Sequence, residues 1–145
     1  MPVNKGRGYV YYLRYHIVFC TKCRHKVIEG PVETRLKEMF QSLAKFHKFE
    51  IVTMEVMPDH VHLLVDCTPQ HYIPDILKAI KGNTARFLFK EFPGLKKKLW
   101  GGHLWNPSYF VASVGENTEE AVKKYIESQK EGGEYVKNAG RRAPC

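Results

Sequence analysis

The segment VMPDHVHLLVD, residues 56–66, constrains the fold of this chain more than any other. Val61, Leu63 and Val65 alternate with His60 and His62, the period-two pattern of a strand with one buried face. Pro58 and Asp59 supply a turn before it, and the β-rich run EIVTMEVM, residues 50–57, lies on the other side of that turn. The two runs therefore read as a hairpin. One face of its second strand needs an apolar cover. The reverse face carries two imidazoles, His60 and His62, pointing the same way.

Two helical segments can supply the cover. PVETRLKEMFQSLAKFHKF, residues 31–49, opens on Pro31 and places Leu36, Met39, Phe40, Leu43 and Phe46 at helical spacing. YIPDILKAIKGNTARFLFKEF, residues 72–92, carries Ile76, Leu77, Ile80, Phe87 and Leu88 as its apolar stripe. YYLRYHIVFCTK, residues 11–22, reads as a first strand, and SYFVASVG, residues 108–115, as a fourth after the loop PGLKKKLWGGHLWNP. ENTEEAVKKYIESQKE, residues 116–131, reads as a last helix, with Asn117 as N-cap and Glu120 completing a capping box. The order is β-α-β-β-α-β plus a helix, which predicts an α+β, ferredoxin-like fold. Four antiparallel strands carry two helices on one face, with Val61, Leu63 and Val65 beneath them. The other face is expected to be free, with His60 and His62 open to a ligand. The whole chain, residues 1–145, reads as one domain, its core about 9–130 and residues 131–145 a mobile tail.

The charge balance bears on the ligand. With 23 basic and 15 acidic residues the net charge is +8, which points to a polyanionic partner. Basic residues cluster at Lys22, Arg24, His25 and Lys26, at Lys78, Lys81 and Arg86, at Lys96, Lys97 and Lys98, and at Arg141 and Arg142. Tyr9, Tyr11, Tyr12, Tyr15, Trp100, Trp105 and Tyr109 lie among or near them. Basic groups hold phosphates and aromatic rings stack unpaired bases, so the pattern favours single-stranded nucleic acid over a membrane surface. Lys22, Arg24, Lys26, Lys81 and Arg86 are the candidate contacts. No apolar run reaches membrane-spanning length and no secretory leader is evident, so a cytoplasmic location is expected. Cys20 and Cys23 form a C-x-x-C without a second pair of ligands, so reduced thiols are expected rather than a zinc site.

His60 and His62 form a plausible bidentate metal chelate, against the plainer reading of two hydrogen-bonded surface histidines. Tyr125 and Gln129, spaced i,i+4, share a helix face and offer a phenol and an amide oxygen, although alone they read as a packed tyrosine and a solvated glutamine. Together the groups make a coherent chemistry. Two imidazoles and an amide are neutral, so a bound cation keeps its full charge for a phosphate oxygen. A nearby cation favours the tyrosinate, which can attack phosphorus and expel a sugar hydroxyl. The resulting ester stores the energy of the broken bond for rejoining. Asp59 and Glu55 can each be partners of the histidines or ordinary turn and surface residues. His16, His25, His47, His71 and His103 are assigned no role.

HVH on a strand of a split βαβ fold, followed by YIESQ on a later helix, resembles the HUH endonucleases. The single tyrosine and the stretches YHIVFCTKCRHKV, TMEVMPDHVHLLV, ILKAIKGNTARFLFKEFP and LWNPSYFVASVG resemble the single-tyrosine transposases of the insertion sequence 200/605 family, from about Tyr9 to Gln129. The resemblance implies that His60, His62 and Gln129 bind Mg²⁺ or Mn²⁺. It implies that Tyr125 is the nucleophile, forming a 5′-phosphotyrosine link and leaving a free 3′-OH. It implies single-stranded DNA with hairpins as partner, and a homodimer in which the tyrosine helix of one subunit can complete the histidine site of the other. It further implies a hinge in SVGEN at Gly115, with neither a membrane nor a nucleotide cofactor involved. Three alternatives stand beside it. The same residues would serve a domesticated, repeat-associated tyrosine transposase acting on dispersed hairpins. A non-enzymatic single-stranded nucleic-acid-binding module would want exposed aromatics where the third strand has histidines. A zinc hydrolase would want a third histidine or a carboxylate ligand.

Overall fold

The computed structural model describes residues 3–99, 102–114, 120 and 122–129. In chain order the strands are β1 (Asn4–Gly6), β2 (Tyr9–Tyr11), β3 (Leu13–Cys20), β4 (Glu50–Val56), β5 (His60–Cys67) and β6 (Phe110–Ser113). Helix α1 (Pro31–His47) lies between β3 and β4, and α2 (Ile73–Glu91) between β5 and β6. Residues 122–129 form a further helix, α3. The main sheet has the order β4-β5-β3-β6, every neighbouring pair antiparallel. This is the expected ferredoxin-like arrangement, with β3, α1, β4, β5, α2 and β6 as its βαββαβ sequence.

The hydrophobic pattern explains the layering. Ile17 and Phe19 of β3 and Val61, Leu63 and Val65 of β5 are fully buried, together with Leu36 and Phe40 of α1 and Leu77, Ile80 and Leu88 of α2. Burying each such side chain contributes about 1.5–3 kcal/mol. Of the expected stripes, Leu43 is only half-buried and two residues are exposed. Phe46 is 78 % exposed and Phe87 42 % exposed. At the end of α1 the chain turns left-handed at Lys48 (φ 64), which swings Phe49 inward to take the buried position. On α2 the inward position falls to Thr84, whose hydroxyl is satisfied by the Ile80 carbonyl at 2.7 Å and by the Trp105 indole N–H at 3.0 Å.

The strand ends also differ from the sequence pattern. Residues 4–11 fold into a separate two-stranded ribbon that turns through Gly8, where φ is 77°. Asn4 ties the ribbon to the end of β5 by donating to Asp66 Oδ1 at 2.9 Å. Within the β-rich run 108–115 the described strand β6 covers Phe110–Ser113, and just before it the carbonyls of Asn106, Pro107 and Ser108 accept from the Lys81 ammonium.

The reverse face of the sheet is not free. Cys20 lies opposite His60 and Val18 opposite His62 in the β3–β5 register, so all four side chains share that face. Val18 and Cys20 are nevertheless fully buried. The cover includes α3: its Val122 is buried, and the Tyr125 ring lies 5.8 Å from that of Phe110, the β6 partner of Val18. The histidine half of the face stays partly open, with His60 and His62 half-buried. Gly115, Asn117 and residues 131–145, the expected hinge, N-cap and tail, lie outside the described residues. Among the described residues no helix is long and apolar enough to cross a membrane.

Candidate active site

The alternation of β5 puts His60 and His62 side by side, and each is oriented by a different partner. Asp59, in the turn just before the strand, accepts from His60 Nδ1 at 2.8 Å. Its other oxygen receives Arg24 Nη2 at 2.7 Å and Nε at 3.0 Å. With Nδ1 committed to a carboxylate, His60 presents Nε2 to a ligand, the usual arrangement of a metal-binding imidazole. Burial alone would raise the Asp59 carboxyl, but hydrogen bonds from His60 and Arg24, and their charges, hold it below its ordinary value. Asp59 is thus a partner of His60 as well as a turn residue. Glu55 is one too: its Oε1 lies 3.3 Å from His62 Nδ1.

His62 Nε2 lies 3.0 Å from His16 Nδ1, so one proton serves both rings. His16 has a place in the site that the sequence reading did not give it. Its signal was the alternation of His16, Val18 and Cys20 along β3, which shares a face with His60 and His62 only once the register is known. Burial, and then the neighbouring His62, lower its pKa.

Tyr125 and Gln129 lie on one face of α3, as their spacing predicted, and meet the loop that follows α2. Ser108 Oγ is 3.1 Å from the Tyr125 hydroxyl and donates to Gln129 Oε1 at 3.2 Å. Asn106 Nδ2 donates to the same Gln129 oxygen. Among the described residues, Gln129 is therefore paired with Asn106 and Ser108, not with the histidines. Burial pushes the Tyr125 phenol up to about 12, with the Ser108 hydrogen bond opposing. Asn106 and Ser108 carry no spacing signal in the sequence, because they reach the site through a loop that only the tertiary structure positions.

Both clusters border the end of β3. Cys20 is the register partner of His60, and its carbonyl accepts the Asn106 N–H at 2.9 Å. Arg24 spans them directly, since its Nη1 donates to the Ile126 carbonyl on α3 at 3.2 Å. The candidate DNA contacts divide accordingly. Arg24 and Lys81 are engaged inside the protein, and burial lowers the Lys81 ammonium to about 8. Lys26 and Arg86 are exposed and Lys22 is half-buried. Arg86 rests on Asn83 Oδ1 at 2.7 Å. Cys20 and Cys67 are free, buried thiols. Among the described residues, no group of three or more His, Cys, Asp or Glu side chains is placed to hold a metal ion.

A ferredoxin-like sheet with two histidines on one strand face, and a helix bearing tyrosine and glutamine docked on that face, is the arrangement of the HUH class that the sequence resembles. Comparison with known proteins gives the particular branch: the chain belongs to the IS200-like transposase family, whose model matches residues 9–129. It is 54 % identical to the ISDra2 transposase TnpA of Deinococcus radiodurans over 129 residues, covering 89 % of this chain and 92 % of that one. It is 29 % identical to the transposase for insertion sequence element IS200 of Salmonella typhimurium, covering 81 % of this chain and 77 % of the relative. A Deinococcus radiodurans crystal structure assigned as a transposase superposes with a TM-score of 0.82 at 52 % identity, covering 87 % and 97 % of the two chains. A REP-associated tyrosine transposase bound to a REP hairpin superposes with a TM-score of 0.53 at 18 % identity, over 89 % of this chain and 74 % of that one, a likeness of fold alone.

Proposed function

We propose that this transposase cuts and rejoins single-stranded DNA at hairpin-bearing element ends, with Tyr125 as the nucleophile. The observation that carries the reading is the Arg24 bridge. It ties the tyrosine helix to the Asp59–His60 pair, which supports reading the phenol and the imidazoles as parts of one site.

His60, His62 and Gln129 are the residues that would hold a divalent metal. The donor set fits: two imidazole nitrogens and an amide oxygen, all neutral, suit Mn²⁺ and accept Mg²⁺ with water completing the shell. The Asp59 contact leaves His60 Nε2 available, while His62 Nε2 and Gln129 Oε1 must exchange His16, Asn106 and Ser108 for the ion. A bound ion supplies positive charge to the scissile phosphate and favours the phenolate.

The chain's own residues do the rest. Tyr125 Oη forms a bond to phosphorus as the bond from phosphorus to the 3′-oxygen breaks. The phenolic proton leaves through water, and the departing oxygen takes up a proton to become a free 3′-OH. Ser108 orients the phenol before attack. Rejoining is the same displacement reversed, with a 3′-OH attacking the phosphotyrosine, and it needs no nucleotide. Within the single chain α3 packs on its own sheet, Tyr125 against Phe110. A homodimer completes the site in trans when α3 passes to the partner subunit. Near-full-length identity of 54 % to an insertion-sequence transposase favours the mobile-element reading over the repeat-associated one.

The test uses end-labelled single strands from the flanks of the coding locus, their duplex forms, and Mn²⁺ or chelator. Metal-dependent release of a 3′-OH fragment from single strands only, absent in Tyr125→Phe, supports the reading. Equal cutting of duplex, or cutting by Tyr125→Phe, overturns it.

A further inference from the structure

We propose that Arg24 is a positioning residue that locks the tyrosine helix onto the histidine side of the site, through Asp59. The inference rests on the reading of Tyr125 and His60 as parts of one site.

Three elements distant in sequence converge on this guanidinium: the turn after β3, the turn before β5, and α3. Arg24 grips Asp59 with Nη2 at 2.7 Å and Nε at 3.0 Å, and reaches Ile126 O with Nη1 at 3.2 Å. The side chains of Arg24 and Asp59 are only 21 % and 10 % exposed, so water competes weakly for these charge-assisted bonds. The geometry is imposed by the backbone. Cys23 and Arg24 are consecutive non-glycine residues in the left-handed region, with φ of 56° and 54°. Such conformations are strained and persist only where surrounding contacts over-determine them.

Those contacts fix the base of the lock. Thr21 N donates to the Asp59 carbonyl at 3.0 Å, Thr21 Oγ1 donates to the His25 carbonyl at 2.7 Å, and Ile28 N donates to the Pro58 carbonyl at 3.0 Å. The two turns therefore form one body, and the bond to Ile126 is the part that opens when α3 leaves. Asp59 performs two tasks at once. One oxygen orients His60 and the other aims Arg24 at α3. Docking of the nucleophile is thereby coupled to the orientation of the first histidine.

The test is amide hydrogen exchange on the full chain without metal or DNA, comparing wild type with Arg24→Gln, Arg24→Lys and Asp59→Asn. A charge-assisted hydrogen bond changes a local opening equilibrium by about tenfold. Amides of residues 122–129 should exchange about tenfold faster in Arg24→Gln, and less so in Arg24→Lys. Asp59→Asn should give the same acceleration although Asp59 makes no contact with α3, because Arg24 loses its aim. Amides of β3 and β5 should keep their rates in all three variants. Wild-type protection of α3 in Arg24→Gln, or in Asp59→Asn, overturns the lock, and so does equal acceleration across the sheet. Failure of wild type to cut DNA would count against the catalytic reading and leave the exchange result standing.

Discussion

Replacing Lys81 by Met should leave stability nearly unchanged while impairing DNA cleavage. The ammonium donates to the carbonyls of Asn106, Pro107 and Ser108 at 2.7, 3.3 and 3.1 Å. Only the first of these bonds is shielded from water, so only it contributes fully, about 1.5–3 kcal/mol for a charged donor. Against it stands desolvation. Pushing the ammonium from 10.5 down to about 8 corresponds to about 3 kcal/mol, of which partial exposure leaves about half. The two nearly cancel. The net change in unfolding free energy should be about 1 kcal/mol or less. The loop, however, loses the group that gathers its three carbonyls, and this loop carries Asn106 and Ser108, which hold Gln129 and Tyr125. Misplacement of a reacting group by about 1 Å costs on the order of a hundredfold in rate. Denaturant melts paired with single-turnover cleavage should show an unchanged midpoint and a rate reduced about 10- to 100-fold. Wild-type cleavage by a stably folded Lys81→Met would refute the argument that the loop positions the nucleophile, and a collapse in stability would refute the cancellation.

Removing the Ser108 hydroxyl should push the Tyr125 phenol further up, because its hydrogen bond is what opposes burial. The metal-free tyrosinate absorbance of Ser108→Ala should rise at higher pH than that of wild type, with Tyr125→Phe locating the component. His16→Phe should tighten Mn²⁺ binding about 2- to 10-fold by calorimetry, since it removes a hydrogen bond of modest net strength that occupies His62 Nε2. Leu63→Ala should cost about 2–5 kcal/mol in a denaturant melt, as expected for a fully buried leucine beneath the helices, whereas Leu64→Ala, on the half-open face, should cost far less.

The parts legible in the sequence were those written in local periodicity. Alternation along β5 placed Val61, Leu63 and Val65 inward and both histidines outward, and the i,i+4 spacing of Tyr125 and Gln129 put them on one helix face. The parts that were not legible depend on contacts between distant segments. His16 enters the site through strand register, Ser108 and Asn106 through a loop drawn together by Lys81, and Arg24 through a left-handed turn that points it inward instead of at a phosphate. The apolar stripes failed at their ends, where Phe46 and Phe87 rotate outward and residues beyond or beside them take the buried positions. The end of β3, Ile17–Cys20, is apolar on both faces and so signals a cover over Val18 and Cys20, but nothing in that pattern names α3 as the cover.

The central claim is that Tyr125 bonds covalently to DNA at a site built on His60 and His62. It is tested most directly by trapping the protein on single-stranded element-end DNA with Mn²⁺, denaturing, digesting, and identifying the nucleotide-bearing peptide by mass spectrometry. The account predicts one adduct, on the peptide containing Tyr125, lost in Tyr125→Phe and in His60→Ala. An adduct on any other residue, or cleavage with no protein-linked product, would contradict it.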